Sequence, residues 1–325
     1  MAKLTNTQAK ALLEKYEPIL YFDSENKVLP MDTEVYVPHC SLWETPSGTV
    51  SLRQPKMIAE RGKLSREDLA KYPSPEDSIH YLVFAEIDEA TEAAMKKQKI
   101  TVTTGFRINK ALEQYAALSA KDRTPTYHGR VFYSGDYLVL QYWFFYPIND
   151  FKTSHNGVND HEGDWEGISL FFPKDGDGAQ PAAVDVTEQW APLALLAAAH
   201  EGASAKNWDD IKREGDHPIF YIARGSHATY YDPGRHHVVD MADGKGAKVG
   251  PGTANPWRRI HFPISGPPAW ATEFDGAWGY YTRDALGGFN GPGGLLQTIQ
   301  FSMLGGWHWE PRTTWTDPVG EAGLD

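Results

Sequence analysis

The chain has 325 residues, 41% of them hydrophobic, enough for a sizeable core in one large domain or two medium ones. A formal net charge of -12 argues against a broad basic face for nucleic acid and against unaided attraction to an anionic membrane, although a bound cation can reverse the sign locally. The lone Cys40 excludes an internal disulfide and leans toward a reducing compartment. Met1 to Lys15 has charge and glutamine throughout and no apolar segment of the signal-peptide kind. No run reaches transmembrane length, so the expectation is a soluble, cytoplasmic protein, export by an unadvertised route left open.

In chain order, Asn6 to Tyr16 predicts a short helix capped by Thr5 or Asn6, with Ala9, Leu12, Leu13 and Tyr16 on one face. Ile19 to Phe22 and Thr33 to Val37 read as strands. Ser65 to Asp68 opens a helix that closes at Tyr72, before Pro73. Ile79 to Ala85 reads as a strand, Glu89 to Lys99 as a helix, Ile100 to Thr103 as a strand and Lys110 to Ala120 as an amphipathic, largely polar helix. This charged block, 86–124, reads as a helical insertion forming a solvated surface pair. From Thr126 the chain turns to strands: Tyr127 to Ser134 and Asp136 to Tyr146 around a Gly135 hairpin, Asp164 to Phe172, a turn at Asp175 to Gly178, and Ala182 to Thr187. Leu193 to His200 fits either strand or helix, Asn207 to Glu214 a helical turn, and His217 to Ala223 a strand. Asp243 to Asn255 and Gly288 to Gly294 are loop-like, and Trp307 to Trp315 is an aromatic tail. The pattern predicts a single domain over 1–325, mainly β with helical decorations, whose β-sandwich core spans 126–325.

The chemistry concentrates between two apolar strands, from Tyr142 to Phe172. Leu138 to Tyr146 has the charge-free, aromatic composition of a strand buried on both faces. If the chain is extended from Asp164, then Asp164 and Glu166 point to one face, Trp165 to the other, and His161 can fold back beside the carboxylates. One imidazole and two carboxylates at a strand entrance suit a hard divalent cation, Mg, Mn or Ca rather than zinc. A second patch, Arg224-Gly225-Ser226-His227, offers ligand-binding groups (Arg224 and Ser226) together with His155 from the central loop. Ser226 and His227, adjacent on a strand, would face opposite sides, which argues against a serine nucleophile. His227 is either a core histidine or a group lining the central pocket. His236 and His237 read as surface turn residues.

His161-Glu162-Gly163-Asp164-Trp165-Glu166, with Trp143 to Pro147 before it and Pro218 to Ala228 after it, resembles the signature of the vacuolar-protein-sorting-sixty-two-like family. The opening Tyr16 to Phe22 and Leu29 to Asp32 fit the same likeness, which covers most of the chain. More remotely, His-x-x-Asp-x-Glu is similar to the motif of necrosis- and ethylene-inducing-like proteins. That resemblance implies a β-sandwich whose divalent cation is held by His161, Asp164, Glu166 and an upstream Asp, either Asp150 or its replacement Asn149. The chain departs from that motif at Gly163, where the family carries a second His, and its sequence shows neither the disulfides nor the secretion signal expected of those toxins.

Two functions follow as expectations. In one, the metal bridges the protein to a small polar or anionic ligand, such as a sugar or a lipid head group. In the other, it is the Lewis acid of a hydrolase- or lyase-type enzyme, with Glu162 or His227 as general base.

Overall fold

The computed structural model describes residues 4–46, 55–88, 91, 104–151, 160–174, 191–199, 202–236, 240–280, 289–291, 297–302, 306–311 and 316–324. The N-terminal helix α1 (Asn6–Lys15) starts at a reciprocal cap: Thr5 Oγ1 accepts from Gln8 N, and Gln8 Oε1 accepts from Thr5 N at 2.9 Å. It buries Ala9, Leu12 and Leu13 and leads into β1 (Ile19–Phe22). The segment expected as a strand at 33–37 is instead a helical turn, α2 (Thr33–Tyr36), because the Asp32 carboxylate accepts from Glu34 N at 2.8 Å and caps it. Three antiparallel strands follow, β2 (Ser41–Pro46), β3 (Lys56–Ala59) and β4 (Ser78–Val83), in the order β3-β2-β4. Glu67–Lys71 is a short 3-10 turn between β3 and β4.

The second predicted helix of the charged block is α3 (Thr104–Ala117): one face, with Ile108, Ala111 and Tyr115, is buried in a core, while Asn109 and Glu113 on the other are exposed. The expected helix at Glu89 to Lys99, apart from Thr91, and the strand at Ile100 to Thr103 lie outside the described residues, as do Asp175 to Gly178 and Ala182 to Thr187.

The β-rich part comprises β5 (Thr126–Ser134), β6 (Tyr137–Asn149), β7 (His161–Pro173), β8 (Ala194–Ala199), β9 (Gly202–Asn207), β10 (Arg213–Glu214), β11 (His217–Ile222), β12 (Thr229–Tyr230), β13 (Gly234–His236), β14 (Asp240–Ala242), β15 (Lys248–Val249) and β16 (Arg258–His261). The alanine-rich stretch after Leu193 is therefore a strand, paired on both sides, where neighbours override its helical propensity. Two sheets face each other: a six-stranded one in the order β16-β5-β6-β7-β8-β9, and a second in the order β10-β11-β1-β15 with β12 on β11. The second sheet takes β1 from the N-terminal region, paired in parallel with β11, so the sandwich draws on residues before 126.

Leu20, Phe22, Phe220 and Ile222 from one sheet meet Tyr142, Phe144, Tyr146, Ile168 and Leu170 from the other. The opposite face of β6 and β7 presents Trp143, Phe145 and Trp165, which pack with Tyr36, Phe84, α3 and Trp278. Both faces of the central pair are thus covered, which is why those strands read as unbroken apolar runs. The molecule is mainly β, a sandwich with helical decorations. Among the described residues no helix is long and apolar enough to cross a membrane.

Candidate functional site

The site grows from a break in the pairing of β6 and β7. Tyr146 lies opposite Asp164, Ile148 opposite Glu162 and Asn149 opposite His161, while Pro147 and Gly163 form no such pair. Gly163 has φ +67, and a Cβ on it would come within 2.4 Å of the Trp278 carbonyl oxygen. The kink reverses the alternation of faces: Tyr146 belongs to the core between the sheets and Ile148, two residues on, to the opposite core. Glu162 goes with Ile148. Its carboxylate accepts from Phe84 N at 2.7 Å, Ala85 N at 2.8 Å and Tyr280 N at 3.3 Å. Burial pushes this carboxyl up while those N–H groups and Arg107 pull it down. The residue expected as a general base is therefore placed as a buried clip between β4 and β7, apart from the other site residues.

Asp164 remains with Tyr146 and is the hub. Its Oδ2 accepts from Asn149 Nδ2 at 3.2 Å and from His227 Nδ1 at 3.1 Å, and its Oδ1 lies 3.9 Å from His161 Nε2. Burial alone would raise this carboxyl, but the two imidazoles outweigh it and hold the group well below the usual carboxylate range. The carboxylate is thus ionised, and His227 Nδ1 is the donor. Sixty-three residues separate the two in the chain. His227 is the one described non-glycine residue with positive φ, at +58, and its ring stacks on Tyr146 at 3.9 Å and 0°. Such a backbone angle in a bulky residue marks a position that its surroundings over-determine.

The turn that carries His227 is pinned from both sides. Gly225 N donates to Asn26 Oδ1 at 2.8 Å, and Asp150 N donates to Gly225 O at 3.2 Å. A Cβ on Gly225, which has φ +70, would fall 1.9 Å from the Asp150 carbonyl oxygen. Beside this turn opens a cleft of about 210 Å³ lined by Glu25, Lys27, Asp150, Arg224 and His227 among others. Lys27 Nζ meets Asp150 Oδ2 at 3.3 Å, and Arg224 pairs with Asp23 at 2.9 Å and Glu25 at 2.8 Å. His227 is therefore both buried, at 1% exposure, and part of the cleft wall.

Of the expected metal ligands, Asp164 and His161 come together, and Glu166 lies on the Asp164 face, where its charge and that of Asp164 reinforce the upward push of burial on the Tyr146 phenol. Asp150 faces the cleft and Lys27, whereas Asn149 stands directly opposite His161 and reaches Asp164. Arg224 lines the cleft, but Ser226 does not: its hydroxyl donates to Asp240 Oδ1 at 3.1 Å. His155 and His237 lie outside the described residues, and His236 stacks on Tyr230 at 3.9 Å. Sequence reasoning passed over Tyr146, Asn26, Lys27 and Asp240. Tyr146 looked like one more aromatic in a core strand, and Asn26 and Lys27 like ordinary turn chemistry.

Two buried oxygens in this region, Asn149 Oδ1 and Tyr146 Oη, have no hydrogen-bond partner among the described residues. Among the described residues, no three His, Cys, Asp or Glu side chains stand close enough to hold a metal by themselves. By donor type, carboxylates, an amide oxygen and an imidazole are the kind of groups a hard cation takes together with part of its water shell. They do not suit a dehydrated tetrahedral zinc.

The chain is thus a β-sandwich with a buried ionisable cluster at the rim where β6, β7 and the β11–β12 turn meet. No family model matches it, and no curated protein does. Among solved structures it is similar to necrosis and ethylene inducing protein 2 from the causal agent of cocoa's witches' broom disease, at 13% identity and TM-score 0.34, over 76% of this chain and 72% of that one. It is also similar to NLPPya in complex with mannosamine, at 11% identity and TM-score 0.35, over 82% and 78%. A third is the non-toxic HaNLP3 protein, at 11% identity and TM-score 0.34, over 85% and 83%. The likeness to the vacuolar-protein-sorting-like family rests on the sequence phrases alone.

Proposed function

We propose that the rim is a divalent-cation site that bridges the protein to a small polar or anionic ligand in the adjoining cleft. Asp164 and Glu166 supply charge, His161 an imidazole, and Asn149 a neutral oxygen in place of the upstream carboxylate. The observation that carries the reading is Asn149 Oδ1, a buried acceptor without a partner among the described residues while the same amide's nitrogen is bound to Asp164. A buried polar atom in that state costs free energy unless a cation or its water meets it. When bound, a hard cation leaves coordination positions for ligand oxygens, and Lys27 and Arg224 stand at the cleft to meet an anionic part. A sugar or a lipid head group has this chemistry.

The test is calorimetric titration of Mg, Ca and Mn into chelator-treated protein, backed by elemental analysis. Wild type takes up one ion per chain, and Asp164→Asn weakens it by at least the roughly tenfold to hundredfold typical of losing a supporting group. Wild-type protein that binds no divalent ion overturns the proposal.

The His227–Asp164 pair favours a second reading, a metal-dependent hydrolase. A carboxylate holding one imidazole nitrogen, with the ring lining a cleft, is the arrangement that orients a general base. Ester and phosphoester turnover with each metal, lost in His227→Gln at retained metal affinity, would select this reading over simple binding.

A further inference from the structure

His227 holds a left-handed backbone and a buried ring at once, and neither persists unless something fixes the turn. The turn is closed by Ala223 N donating to Ala228 O at 3.0 Å, and Ser226 N donates to Arg224 O at 2.8 Å. Those bonds shape the loop without fixing it against the rest of the molecule. Beside the Gly225 bonds to Asn26 and Asp150, a further anchor that engages side chains of the turn lies on the β13–β14 hairpin. Asp240, at 1% exposure, accepts from Ser226 Oγ at 3.1 Å through one oxygen and from the Tyr230 hydroxyl through the other. Tyr230 follows the turn on β12 and is stacked on His236 of the same hairpin. One carboxylate thus ties together the residue just before His227 and the residue three after it. Arg224 N adds a backbone bond to Met241 O at 2.8 Å, so the hairpin grips both ends of the turn.

We infer that Asp240 and Ser226 are positioning residues: through the Ser226 hydroxyl and Tyr230 they hold His227 in its left-handed conformation, so that Nδ1 reaches Asp164 and the ring lies flat on Tyr146. The effect on metal affinity rests on the cation reading above; the placement of His227 does not.

The test reads both. In wild type the His227 Nδ1–H, buried and bonded to Asp164, gives a slowly exchanging imidazole N–H resonance, assigned by its disappearance in His227→Gln. Ser226→Ala removes one hydroxyl. It abolishes that resonance and lowers Mg affinity about tenfold, while the thermal midpoint stays near that of wild type. Ser226→Thr, which keeps a hydroxyl, retains both signals. Asp240→Asn behaves as Ser226→Ala does; if it fails to fold, the two Ser226 variants decide. Ser226→Ala with the resonance and the affinity intact overturns the clamp. If wild type binds no Mg and Ser226→Ala still loses the resonance, the clamp stands and the cation reading falls.

Discussion

Gly163 holds φ +67 with the Trp278 carbonyl 2.4 Å from where a Cβ would lie, and its two neighbours face opposite layers of the molecule. This is the position at which the chain departs from the necrosis-type motif, and the backbone here has no room for the histidine found there. Gly163→Ala adds strain at a positive φ and a clash with backbone, so it should cost about 1–3 kcal/mol. Urea unfolding measures the cost, and divalent affinity should fall with it, because Asp164 turns with the strand; an unchanged midpoint would mean that the kink is dispensable. Lys27 gives a prediction of opposite sign. Its ammonium sits 3.3 Å from Asp150 at the cleft, a positive charge beside the proposed cation. Lys27→Ala should raise Mg affinity severalfold, in keeping with roughly 1 kcal/mol or less for an exposed pair. Weaker binding in that variant would place Lys27 among the groups that assist the cation.

Between elements, the Glu162 carboxylate joins β7 to the end of β4 and to Tyr280 through three backbone N–H groups. Glu162→Ala leaves those donors buried and unmet, at a cost of about 3–5 kcal/mol. Its divalent affinity, measured well below the melting temperature, should stay within about twofold of wild type, since the Glu162 carboxylate faces the layer opposite Asp164 and touches none of the site's side chains. A loss of affinity at unchanged stability would return Glu162 to the site. The sequence showed that Asp164 and Glu166 share a face, because period two is local, and that β6 and β7 are buried on both sides, because composition records burial. It hid the reversal at Gly163, since glycine in a strand pattern does not announce the sign of its φ. It also hid the helical turn at 33–37, where one capping carboxylate outweighs an apolar run. The charge around α3 hid how deeply its apolar face is buried, and only the register shows that Asn149, not Asp150, lies opposite His161.

For the molecule as a whole, His128 reports whether the layers are closed. It is fully buried on β5, its Nε2 lies 3.3 Å from Thr33 Oγ1 of the N-terminal layer, and its ring meets the rings of Trp165, Phe262 and Trp270. Burial first, and the Arg66 charge second, push its pKa down to about 3. The unfolded chain binds a proton here near the ordinary histidine value, and the folded chain refuses it until far lower pH. Stability contributed by the neutral ring is therefore complete above about pH 6.5 and falls as pH drops toward 3, by at most about 1.4 kcal/mol per pH unit. His261, pushed down to about 4 mainly by burial, acts in the same direction but more weakly, being partly exposed. Asp32 acts the other way: burial raises its carboxyl despite the Glu34 N–H, Arg66 and Arg258, so acid relieves a cost there. Urea unfolding between pH 7 and 5 should show wild type losing stability from about 6.5 downward. His128→Gln, whose amide keeps a polar partner for Thr33 but cannot be protonated, should flatten that slope even if it lowers stability at pH 7. Parallel curves for the two proteins would mean that His128 does not govern the acid limit of the fold.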